Sequence, residues 1–122
     1  MAAPNIINAT SIFGKTTAAQ LDTTVTTSLL ANSSSSNKLL KINSIIVGNK
    51  DGTNDADVTV SWYDGSTDYY LASTITVPAD STLVVLGKDA PIFLEEGQSL
   101  RGGASANSDL DVIISYEELD DA

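Results

Sequence analysis

From Lys38 to Asp64 the sequence reads KLLKINSIIVGNKDGTNDADVTVSWYD, two apolar runs joined by an acidic, Gly-containing loop. In the first run Leu40, Ile42 and Ile46 fall on one side of an extended chain, and Leu39, Ile45 and Val47 on the other. In the second, Val58, Val60 and Trp62 alternate with Thr59, Ser61 and Tyr63. A period of two in β-branched and aromatic residues fits a pleated strand and no helix. Residues Gly48 to Asp57 supply the Asn, Asp and Gly that turns require. This stretch restricts the chain to antiparallel pairing, and Trp62 is assigned to the core with Val58 and Val60.

The remainder follows the same pattern. Asp64-Gly65-Ser66-Thr67 is a hairpin turn, since Asp-Gly between alternating runs is among the strongest short hairpin signals. Alternation resumes from Tyr69 to Val77, turns at Pro78-Ala79-Asp80-Ser81, and resumes from Thr82 to Leu86. Short runs at Ile92–Leu94 and Ser99–Ala104 precede a last alternating strand carrying Leu110, Val112, Ile114 and Tyr116. Turn spacing of this kind predicts an all-β fold, an antiparallel β-sandwich of jelly-roll-like form with about eight strands. Apolar residues on both faces of Leu39–Val47 predict a central strand or one covered by a partner.

At 122 residues the chain is the size of one domain. Residues 1–22 are read as an N-terminal segment or arm, and 23–122 as the sandwich with a short acidic tail. The arm holds an apolar cluster, Ile6, Ile7, Ile12 and Phe13, ended by Gly14. Two readings stand: a first strand inside the chain's own sandwich, or an extended segment docked on a neighbour. Within the Thr-rich run that follows, Thr23–Leu30 is predicted as a strand, and 15–22 is left between strand and helical turn.

Charge and missing residue types narrow the chemistry. The net charge is −10, so nucleic acid and anionic membranes are not expected partners, whereas basic protein surfaces are. Histidine and cysteine are both absent. The commonest general base, thiolate nucleophiles and thiolate metal sites are therefore unavailable. No signal-peptide pattern is read at the start, and no apolar run approaches the roughly 20 residues that span a bilayer.

Three residue groups are candidates for a site. Asp51, Asp55 and Asp57 lie around Gly52 and form a calcium candidate. The EF-hand spacing is missing and Lys50 intrudes, so turn chemistry is preferred. Glu95-Glu96 and Glu117-Glu118 are adjacent pairs, which on a strand point to opposite faces and form no acid–base dyad. No catalytic residue, cofactor or enzymatic activity is expected. The aromatic group Trp62, Tyr63, Tyr69 and Tyr70 straddles the tight turn. With Trp62 in the core, Tyr63 and Tyr70 are the interaction candidates, together with the apolar cluster of the arm.

Residues 38–119 resemble a family of small virion structural proteins of tailed bacteriophages, marine and cyanobacterial ones especially. The phrases that carry the resemblance are Ile45-Ile46-Val47 before Asp51-Gly52-Thr53, then Asp57-Val58-Thr59-Val60, Pro78-Ala79-Asp80-Ser81-Thr82, Leu94-Glu95-Glu96-Gly97 and Ser115-Tyr116-Glu117-Glu118. The resemblance implies a virion component assembled in the host cytoplasm, self-associating and bound to the major capsid protein or other virion proteins. A capsid decoration, or cement, protein is the expected role. The alternatives are a neck or tail structural protein, or a carbohydrate-binding module of a host-attachment structure with Tyr63, Tyr69 and Tyr70 as its platform.

Overall fold

The computed structural model describes residues 9–121, so Ile6 and Ile7 lie outside the described residues. The described residues form nine strands: β1 (Ala9–Gln20), β2 (Ser28–Ala31), β3 (Lys38–Asn49), β4 (Ala56–Tyr63), β5 (Asp68–Val77), β6 (Thr82–Leu86), β7 (Ile92–Leu94), β8 (Ser99–Ala104) and β9 (Leu110–Asp121). They make two antiparallel sheets. Sheet A runs β1-β9-β3-β6 with β7 also paired to β3, and sheet B runs β2-β8-β4-β5.

The pairing has a simple logic. β4 pairs with β5, β3 with β6 and β7, β2 with β8, and β1 with β9. The chain is one long hairpin whose tip is Asp64–Thr67, rolled so that its arms contribute to both sheets. Cross-links β3–β9 and β4–β8 complete each sheet. This is the antiparallel β-sandwich anticipated from the turns. At the tip, Asp64 Oδ1 accepts the amides of Ser66 (2.9 Å) and Thr67 (2.8 Å), and Gly65 takes the left-handed conformation at φ 106°. Those amides hold the Asp64 carboxyl below the usual carboxylate range.

Between the sheets lies a core built from Ile42, Ile45, Val47, Val58, Val60, Val77, Leu94, Leu100, Leu110, Val112 and Ile114. In β3 the phase differs from the uninterrupted alternation expected. Against β9, Ile42 pairs with Tyr116 but Ser44 with Ser115, so Asn43 is an extra residue. A bulge of this kind moves every later side chain to the other face. Leu40, Ile42, Ile45 and Val47 therefore enter the core, and Ile46 turns outward.

One open reading is decided and one expectation is corrected. Residues 15–20 belong to β1 and contain no helical turn. The predicted strand Thr23–Leu30 is a strand only from Ser28. Asp22 Oδ1 accepts the Thr24 amide (2.9 Å) and the Thr27 hydroxyl (3.3 Å), and the Thr27 amide reaches the Thr24 carbonyl (3.3 Å). These local bonds offer the backbone an alternative to a ladder, and they override the β-propensity of threonine.

The segment 9–20 pairs along its length with β9. Few of its side chains reach the core, and Ala19 is the one packed against it. Two buried asparagines tie loops to strands. The Asn32 amide donates to the carbonyls of Lys38 (2.8 Å) and Leu94 (2.9 Å), and the Asn49 amide to those of Asn54 (3.0 Å) and Val77 (2.9 Å).

Candidate functional site: an aromatic groove beside the hairpin tip

The groove forms where the edge of sheet B meets β7 of sheet A. Trp62 comes from β4, Tyr69, Tyr70 and Leu71 from β5, and Ile92 and Phe93 from β7. Together they line a cavity of about 370 Å³. Opposite β4, Val60 pairs with Ala72 but Ser61 with Tyr70, which leaves Leu71 as the extra residue of a bulge. Strict alternation would send Tyr70 and Leu71 to opposite faces. The bulge re-aims the backbone, and three consecutive side chains face one concavity.

Trp62 is half-buried and does not lie within the core as expected. It packs against the core cluster on one side and walls the groove on the other. Its indole N–H donates to the Phe93 carbonyl at 3.2 Å, fixing β7 against β4. The Tyr69 ring lies 6.0 Å from it at 42°, in the range of favourable tilted aromatic pairs. Tyr70 is 60% exposed.

Tyr63, an interaction candidate from sequence, is elsewhere. Arg101 stacks over its ring at 4.1 Å, and its hydroxyl donates to the Gly65 carbonyl at 3.0 Å. Arg101 is itself paired with Asp68 (3.5 Å). Tyr63 thus packs the hairpin tip and takes no part in the groove. The reason is the alternation itself, which sets it opposite Trp62.

The candidate carboxylates are not brought together. Asp51 accepts the amides of Thr53 (2.8 Å) and Asn54 (3.2 Å), bonds that lower its pKa. Asp55 accepts the Ala79 amide (3.0 Å), and Asp57 the Thr76 hydroxyl (2.8 Å). Each holds a different piece of loop. Among the described residues no group of three or more acidic side chains is placed to hold a metal ion.

Glu118, read from sequence only as one of an adjacent acidic pair, has a structural task. It is buried on β9 with its side chain 12% exposed, and it bonds Lys15 of β1 (3.2 Å) and Lys38 of β3 (3.4 Å). Burial raises its pKa, but the two lysines outweigh burial, and the carboxyl titrates below its ordinary value of 4.5. A depressed carboxylate contributes stability that is present above its unfolded pKa and lost as pH falls through the folded one. Glu118→Gln is therefore expected to lower the thermal midpoint at neutral pH and to leave it unchanged well below pH 4.5, in melts at matched ionic strength. Equal differences at both pH values would show that the ion pairs contribute nothing.

On the outward face of sheet A, Ala18, Ile113, Ile46 and Val84 are successive cross-strand partners on β1, β9, β3 and β6. They form an apolar row across the whole sheet, and Ile113 and Val84 are exposed. Ile12 and Phe13 also lie on the surface, 61% and 47% exposed.

No family model matches the chain, and no curated protein matches it. Among solved structures, it is similar to a pentameric capsid protein isolated from metagenomic phage sequences, at 15% identity and a TM-score of 0.38, over 97% of this chain. The chain spans 64% of the length of that protein. A second structure with the same description, solved by iodide phasing, is similar at 15% identity and a TM-score of 0.37, covering 97% of this chain and 68% of the other. The infectious bursal disease virus Gx strain structure is similar at 11% identity and a TM-score of 0.34, covering 89% of this chain and 40% of the other.

Proposed function

We propose that this chain is a structural component of a bacteriophage virion and that it decorates the shell by binding the major capsid protein. The observation that carries this reading is the groove. Six apolar or aromatic side chains line it, and the Trp62 donor is already spent on Phe93. A sugar needs directional hydrogen bonds as well as ring faces, and the lining has only two tyrosine hydroxyls for them. An apolar or aromatic side chain of a protein partner fits it better. The chain's net charge of −10 favours a partner whose anchor is flanked by Lys or Arg. The resemblance of residues 38–119 to small virion proteins supplies the setting. Jelly rolls serve in capsid and lectin domains alike, so the fold is compatible with the role without deciding it.

In this reading Tyr70, Phe93 and Trp62 receive the shell's anchor residue. The exposed Ile12 and Phe13 of the N-terminal segment, with Ile6 and Ile7, serve self-association. Binding to shells stripped of this protein tests the proposal. Tyr70→Ala is expected to weaken binding about tenfold, the effect of truncating one exposed aromatic anchor, with the fold intact. Raised salt should weaken it further. Unchanged binding by Tyr70→Ala removes the groove from the interface. Binding of a glycan array, lost in the same variant, would move the protein to a host-attachment module. Copy number from mass spectrometry of purified particles places it. Hundreds of copies mean decoration, whereas about six or twelve mean a neck or tail ring.

A further inference from the structure

We propose that the free edge of β1 is an assembly edge and that its occupant is β1 of a second copy of this chain. The second strand adds antiparallel, so that sheet A continues from one protomer into the next. The inference sharpens the self-association assigned above to Ile12 and Phe13, and it concerns the chain in solution, so its failure leaves shell binding through the groove untouched.

β1 is 12 residues long and is hydrogen-bonded to β9 on one side. Among the described residues its other side is hydrogen-bonded to no strand. It carries no proline and one charge, Lys15, and its sole register irregularity lies at its start, between Ala9 and Ser11. Long straight edges with little charge are templates for another strand. Ile12 and Phe13 are both exposed, and as neighbours on a strand they project to opposite faces. A partner lying on one face covers one of them. A strand laid alongside shields both and satisfies the free backbone groups as well.

Charge and the remaining edges identify the added strand. All 16 carboxylates of the chain occur from Asp22 onward, and residues 1–21 hold Lys15 and no acid. Two chains of net charge −10 repel each other, and β1 is the strand by which they approach with least repulsion. The other edges are blunted. β5 has two register shifts against β4 and a left-handed Thr74 at φ 49°. β2 has 4 residues, β6 has 5 and β7 has 3. A full-length partner for β1 is therefore β1 itself. Antiparallel self-pairing places a two-fold axis through the seam and closes the assembly as a dimer. The register that sets Lys15 opposite its own copy is disfavoured by like charge.

Sedimentation of the full chain across concentration, with residue-level hydrogen exchange, tests the inference. The expected result is a monomer–dimer equilibrium that tightens with salt, because screening relieves repulsion between acidic copies. Amides on the free side of β1 should gain protection as the dimer forms. The variant Ile12→Lys with Thr16→Lys places two cations on exposed positions of one face of β1. It is expected to dimerise about tenfold or more weakly, since like charges then oppose each other across the seam. Its amides bonded to β9 should stay protected, showing that β1 is still docked. Tyr70→Ala, at the groove, should dimerise like the parent. A parent chain that stays monomeric at millimolar concentration overturns the inference. So does a dimer in which β1 gains no protection, a readout that needs no variant. A lysine variant with β1 docked and dimerisation unchanged overturns it too.

Discussion

Ile45→Ala is expected to lower the unfolding free energy by about 4 kcal/mol, and Ile46→Ala by about 1 kcal/mol or less. The two residues are adjacent, identical and in the same strand. The difference comes from Asn43. Its insertion opposite the Ile42–Tyr116 and Ser44–Ser115 pairs reverses the phase of the second half of β3. Ile45 is then fully buried, in one cluster with Val47, Leu86 and Ile114, and its truncation leaves a cavity between the sheets. Ile46 pairs with Ile113 and Val84 on the outward face, where solvent fills the space a truncation leaves. Denaturant midpoints of the two variants decide the matter. Equal losses would show that both faces of β3 are covered in the isolated chain. A larger loss at Ile46 would mean that β3 keeps one phase throughout.

Gly103→Val is expected to cost about 3 kcal/mol or more, near the top of the range for overpacking. A Cβ at residue 103 would lie 2.6 Å from the Thr24 carbonyl oxygen, 2.8 Å from its carbon and 2.9 Å from the Asp22 carbonyl oxygen. All three are backbone atoms and none yields by rotating a side chain. They belong to the turn over residues 22–27, which is stapled to β8 by Ala104 N–H to Asp22 (2.7 Å) and Gly102 N–H to Thr27 (2.9 Å). Lifting the turn to admit a side chain breaks these bonds, each worth about 1 kcal/mol. It also disturbs Leu21, which the turn holds in the core. Gly14→Val is the control, since a Cβ there meets nothing within 4 Å. It should be neutral or slightly stabilising, because valine suits a strand better than glycine. Thermal melts in which both variants behave alike would remove the close approach as the reason for glycine at 103.

The candidate site was legible only in part. Tyr69 and Tyr70 stood out as aromatics beside a hairpin tip, and they do line the groove. Leu71 did not, because its orientation depends on a bulge opposite β4. Ile92 and Phe93 did not, because their run is 3 residues long and its neighbour in space is more than 20 residues back in the chain. An exposed Phe in so short a strand was the available signal.

The sequence by itself determined what depends on near neighbours. Alternation set the strands, and Asp64-Gly65 and Pro78–Ser81 set turns, because a side chain two or three residues away closes each of them. Asp22 closed its turn in the same way, and there the Thr content misled. Tertiary structure decided what depends on a partner strand: the phase of β3 after Asn43, the half-burial of Trp62, the stacking of Arg101 over Tyr63 and the pairing of β1 with β9. A bulge exists only as a mismatch in count between two strands. Ala9 and Asp121 pair across nearly the whole described chain. No local pattern encodes such a pair, since its stability resides in the sheet that both strands join.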